Sequence, residues 1–145
     1  MHTNNWKALY VKQIKQKSFE LGFNWIGISK AEFLEKEAGY LKKWLNEGMH
    51  GEMAYMQKNF EKRADPRQLV AGAKSVISVV YNYFSPNRQP AKTYKISRYA
   101  YGRDYHYVVK EKLSKLCDFI KTFAPNFNGR IFVDSAPVME KTWAA

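Results

Sequence analysis

Cysteine is almost absent: Cys117 is the single one among 145 residues. That excludes an internal disulfide, a cysteine-built zinc site and an iron–sulfur cluster held by this chain's own thiolates. No apolar run approaches the roughly eighteen residues of a membrane span. The opening MHTNNWKALY lacks the apolar core of a secretory signal. Internal repeats and low-complexity segments are missing too. Acidic residues are scarce, with 13 Asp and Glu against 24 Lys and Arg and a net charge of +11. These absences leave a cytoplasmic globular chain of one domain, with no membrane role, as the expectation.

Hydrophobic residues make up 46% of the chain and aromatics 16%, enough for a core and too many for a disordered segment. Positive charge in such excess favours a polyanionic partner, nucleic acid being the commonest, and aromatic rings can stack on unpaired bases. A basic surface that only keeps the chain soluble gives the same count, and cores use the same rings. Composition alone leaves both readings open.

Periodicity sets out the elements. Residues 4–21 read as a helix capped by Asn4 or Asn5, with Trp6, Tyr10, Ile14 and Leu21 on one face and Gly22 at its end. Residues 23–29 read as a short strand. A second helix covers 31–47, with the face Leu34, Ala38, Leu41 and Leu45, and Gly48 closes it. Met53, Met56 and Phe60 fit one side of a short helix, after which Asp65 and Pro66 open another turn as cap and first residue. Residues 75–84, SVISVVYNYF, are the clearest strand, apolar at the centre like a strand covered on both faces. A Pro-rich basic loop follows at 85–95. Asp104 then caps a helix whose face is Val109, Leu113, Leu116, Ile120 and Phe123, stopped by Pro125. Helices alternating with short strands make an α/β or α+β sandwich, a mixed sheet with flanking helices.

The stretch RIFVDSAPVMEKTWAA, residues 130–145, carries the most chemistry. Ile131, Phe132 and Val133 read as a buried strand, and Asp134 stands at its carboxyl end, where open α/β sheets gather ligands. A carboxylate there is a candidate acid or base. Equally, Asp134 can cap a helix that starts near Pro137. The pattern breaks off inside that helix without a stop signal, as expected of a truncated chain.

Three segments in order, HGEMAYM…KRADPRQLVAGAKSVISVVYNYF, ISRYAYGRDYH and FVDSAPVMEKTWAA, resemble the N-terminal part of epoxyqueuosine reductase. The resemblance spans essentially the whole chain and implies a domain, residues 1–145, similar to base-off cobalamin-binding folds. It implies cobalamin and two 4Fe–4S clusters as cofactors, tRNA carrying epoxyqueuosine as substrate, an external electron donor and a monomer. The reaction implied is reduction of the epoxide on a cyclopentane ring to an alkene. The iron–sulfur and helical-repeat domains of such a protein lie outside this sequence, and its one cysteine supplies neither cluster, so the isolated chain is expected to be inactive. Asp134 matches the aspartate that supplies a proton as the epoxide opens. Arg98 falls in the segment that contacts the cofactor, or else makes a surface ion pair. Tyr105 is a further cofactor contact by the same resemblance, and His106 beside it either approaches the metal or hydrogen-bonds in the core. Tyr55 lines the cofactor pocket or packs with its methionines. Lys141 meets substrate phosphate or is a solvated lysine. Arg63 and Arg67 fix the local structure around Asp65. Two other functions fit the same residues: a basic tRNA-binding module without catalysis, and a cobalamin carrier or processing protein.

Overall fold

The computed structural model describes residues 5–84, 86–134 and 136–144. Asn4, one of the two expected caps of the first helix, lies outside them, as do Ser135 and Ala145. The elements run α1 (Asn5–Glu20), β1 (Trp25–Lys30), α2 (Glu35–Asn46), α3 (Phe60–Ala64), β2 (Ser75–Val80), α4 (Tyr105–Phe123) and α5 (Glu140–Ala144). Short 3-10 turns stand at Ala54–Met56, Pro66–Gln68 and Arg98–Ala100. The architecture is α+β, as the pattern implies. Its sheet is smaller than expected: β1 and β2 form an antiparallel pair, not a mixed sheet. Residues 131–133 find no strand partner among the described residues, and Val133 is buried by packing instead of by pairing.

Two compact units emerge, residues 5–26 with 79–127 and residues 27–78 with 128–144, and both strands run through the boundary. In the first, α1 and α4 pack together because α4 presents apolar residues at alternating four and three spacings. Val109, Leu116 and Ile120 are buried there, with Ile14 and Ser18 of α1. Burying each large aliphatic side chain stabilises by about 1.5–3 kcal/mol. Tyr10 donates its hydroxyl to the Phe123 carbonyl (3.4 Å), and the two rings stack at 4.6 Å. Lys112 donates to the Leu21 carbonyl, one of the acceptors that a helix end leaves unpaired. Gly22 turns the chain out of α1 at φ +85°, a conformation that a Cβ would strain. Trp6, expected on the buried face, is 51% exposed and only edges Tyr10, since the packed stripe runs through Tyr10, Ile14 and Ser18.

In the second unit small residues let the backbones approach. Ala38 and Ala64 are buried between α2 and α3, and Leu34 N–H donates to the Ala64 carbonyl at 2.9 Å. Helix α2 starts four residues later than its periodicity suggests, because Ala31 N–H is taken by Lys74 O (3.0 Å) at the end of the strand pair. Strand β2 stops at Val80, short of the expected 84. Beyond it an asparagine side chain replaces the ladder: Asn82 N–H donates to Asn24 Oδ1 at 2.8 Å. Its interior residues are half-buried, not fully covered as their apolarity implies. Met53, Met56 and Phe60 do not share one helix, since Asn59 takes a left-handed turn (φ 61°) between the 3-10 turn and α3. The Ser78 hydroxyl donates to the Trp143 carbonyl (2.9 Å), fastening α5 to β2, and Trp143 is buried.

Candidate active site

The site is built in the second unit from the turn that precedes α5. Asp134 sits at φ 52°, in the left-handed region that non-glycine residues rarely occupy, though aspartate tolerates it better than most. An N-cap needs an extended backbone, so Asp134 does not cap a helix at Pro137. Helix α5 opens later, at Glu140, and the contact runs backwards: the Glu140 carboxylate (Oε1) accepts the Asp134 backbone N–H at 3.0 Å.

Beside this turn lies an open recess of about 390 Å³. Asp134, Glu140, Lys141 and Arg63 supply its charged wall, and Val138 and Met139 part of its apolar one. Two acids and two bases thus face one space. Partial burial pushes the Glu140 carboxyl above the usual range, and the neighbouring Asp134 carboxyl raises it further by its side-chain hydrogen bond and its charge. The Asp134 N–H works in the opposite direction but does not cancel them. Arg63 donates through Nη2 to the Tyr55 carbonyl (3.3 Å), while its buried Nε–H has no hydrogen-bond partner among the described residues. A buried donor left unpaired costs about 1–3 kcal/mol, which an acceptor brought by a ligand would recover.

Of the residues singled out from sequence, Asp134 and Lys141 meet at this recess. Tyr55 is linked to it only through its carbonyl on Arg63; its exposed ring directs the hydroxyl to Met53 Sδ at 3.4 Å. Arg98 and Tyr105 belong to the first unit. The Arg98 guanidinium lies over the Phe84 ring at 4.7 Å, and Tyr105 stacks on His106 at 4.2 Å. His106 hydrogen-bonds, though not in a core: its N–H and Nδ1 both reach Asp104 Oδ1 (2.8 and 2.9 Å) at the half-exposed start of α4. Arg67 behaves as read, gripping Asp65 through Nε and Nη2 (2.8 and 2.7 Å) and holding that carboxyl below its usual range. Arg63 and Glu140 are the additions that sequence reasoning missed. Their signal was weak: a basic residue in a local turn, and an acid six positions past Asp134.

The donor set suits a ligand edged with carboxamides. Cobalamin has such an edge, and amides need acceptors and donors together, as Asp134, Glu140, Arg63 and Lys141 provide. No group of three His, Cys, Asp or Glu among the described residues could hold a metal ion. Burial pushes the Cys117 thiol up, so at neutral pH it is no thiolate ligand. No helix among the described residues is long and apolar enough to cross a membrane.

Comparison with known proteins agrees with this picture. The family model "Epoxyqueuosine reductase QueG, DUF1730" matches residues 63–135, half of the chain, running from Arg63 past Asp134. The chain is 56% identical to epoxyqueuosine reductase of Leadbetterella byssophila over 93% of its own length and 45% of that protein. It is 41% identical to that of Escherichia coli, over 92% of this chain and 36% of that one. The chain therefore spans less than half of these curated relatives. The solved structure of epoxyqueuosine reductase from Streptococcus thermophilus superposes with a TM-score of 0.79 at 30% identity, covering 92% of this chain and 37% of that one. An epoxyqueuosine reductase solved with an epoxyqueuosine-modified tRNA stem loop shares the fold, at a TM-score of 0.77 and 23% identity. With the family model and these relatives in agreement, the chain belongs to the epoxyqueuosine reductase family.

Proposed function

We propose that this chain is the N-terminal, cobalamin-binding part of an epoxyqueuosine reductase, and that Asp134 is its proton donor. The observation that carries the reading is the strained Asp134 turn, held at the mouth of a recess that offers acids and bases together. Backbone strain costs of order 1–3 kcal/mol and clusters where a side chain must point at a ligand.

Reduction of an epoxide to an alkene consumes two electrons and two protons and releases water. Bound cobalamin would supply the reducing power. The chain's own part is acid and positioning chemistry. Asp134 gives a proton to the oxygen as the C–O bond breaks, which spares the reaction a free alkoxide. Arg63 and Lys141 hold carboxamide or phosphate groups at the recess, and Arg98, Tyr105 and Tyr55 are further cofactor contacts carried by the family resemblance. Substrate would be tRNA carrying epoxyqueuosine, as in the relative solved with such a stem loop. Cluster ligands and an electron donor must come from elsewhere, so we expect no turnover by this chain alone with chemical reductant.

Binding of tRNA without chemistry is favoured by a separate observation. Tyr83, Phe84, Tyr94, Tyr99 and Tyr107 are all more than half exposed, among Arg88, Lys92, Lys95 and Arg103. Exposed rings among cations are what single-stranded RNA binders display.

Visible-spectrum titration with cob(II)alamin separates the two. A base-off shift that weakens in Asp134→Ala supports the cofactor reading. No shift at saturating cofactor, in this chain or one extended past Ala145, overturns it and leaves the RNA module, whose affinity must fall steeply with salt.

A further inference from the structure

We infer that Glu140 and Asp134 work as one carboxyl pair, in which Glu140 sets the Asp134 turn and shares a proton with it. The inference rests on the reading of Asp134 as the proton donor and says how that proton is kept at hand.

Three observations support it. The Asp134 N–H ends on Glu140 Oε1 at 3.0 Å, so Glu140 is the acceptor that closes the left-handed turn. Both carboxyls line the same recess, and a side-chain hydrogen bond joins them. Two neighbouring carboxylates cannot both ionise freely, and a hydrogen bond between them requires a proton on one. The cations facing the pair are Arg63 from α3 and Lys141 from α5. Arg63 spends Nη2 on the Tyr55 carbonyl, and neither base makes a printed ion pair with either acid. Ser78 of β2, which holds α5 at Trp143, brings no charge. The pair is therefore not neutralised as Asp65 is by Arg67, and a proton is the charge balance left to it.

A merely structural Glu140 would close the turn without sharing a proton, and two measurements tell the roles apart. In a carbon-13 carboxyl NMR titration of the 145-residue chain, Glu140 should titrate above an ordinary glutamate and return toward it in Asp134→Asn. Amide hydrogen exchange at Asp134 should be about fivefold faster in Glu140→Ala, the factor expected for one lost hydrogen bond, and near wild type in Glu140→Gln, which keeps an acceptor oxygen. Independent titration of the two acids overturns the proton sharing, and unchanged exchange in Glu140→Ala overturns the positioning. Neither measurement uses cobalamin, so a failed cofactor titration would count against the proposed function and leave this pair intact.

Discussion

Asp65 and Asp134 stand in the same unit, each a short step ahead of a proline, and from sequence each is a helix cap. Their surroundings drive them apart. Asp65 is buried, extended at φ −136°, and saturated: it accepts the Arg67 N–H at 2.9 Å and both arms of its guanidinium. Asp134 is exposed, left-handed at φ 52°, and placed beside another acid in an open recess. A carboxylate locked to an arginine is fixed in its charged form and serves structure. One paired with a second carboxyl keeps a proton within reach and serves chemistry.

Substituting alanine at each position should expose the difference most strongly. Asp65→Ala removes a cap and a charge-assisted pair from a buried place, and we expect a loss of about 2–3 kcal/mol in urea unfolding. Asp134→Ala should cost less than about 1 kcal/mol, chiefly because alanine tolerates the left-handed region less well than aspartate. Equal losses at the two positions would erase the distinction between a structural and a chemical aspartate.

Glycine sharpens the same contrast on a smaller scale. Asp134→Gly retains the backbone N–H for Glu140 and adopts positive φ without steric cost, so its stability should stay within about 0.5 kcal/mol of wild type. Any cofactor response that depends on the carboxyl should still be lost. A folded, stable and unresponsive glycine variant would show that strain at Asp134 is tolerated for its side chain.

Sequence showed one half of this contrast well and the other poorly. The Asp65-Pro66 cap, the Asp104 cap and the buried stripe of α4 were all legible, because each depends on a few adjacent residues or one helical period. Ile131 to Val133 read wrongly as a strand because apolarity signals burial, whereas a strand also needs a partner for its backbone. Asp134 was found through its motif, yet its backbone conformation was invisible. The left-handed turn is fixed by Glu140 reaching back six residues, a contact that no local propensity encodes. Arg63 was hidden for a similar reason: its neighbours in sequence explain one donor, and only the folded recess shows that another is unpaired.

The smallest effect expected is in the pH dependence of stability, where the two sites should carry opposite signs. Arg67 holds the Asp65 carboxyl below its ordinary value of 3.8, so the unfolded chain binds more protons in that window. The stability it contributes is complete above that value and is lost as pH falls through the lowered one. Glu140 is raised above 4.5, so there the folded chain binds more protons. Its contribution is complete below 4.5 and is lost as pH rises through the raised value. Comparing wild type with Asp65→Asn, the gap should narrow on acidification; comparing wild type with Glu140→Gln, wild type should lose ground as pH rises. Urea midpoints collected across the carboxylate range would read both. If the Glu140→Gln curve ran parallel to wild type, the second carboxyl would be an ordinary surface acid, and the Asp134 turn would need another source for its proton.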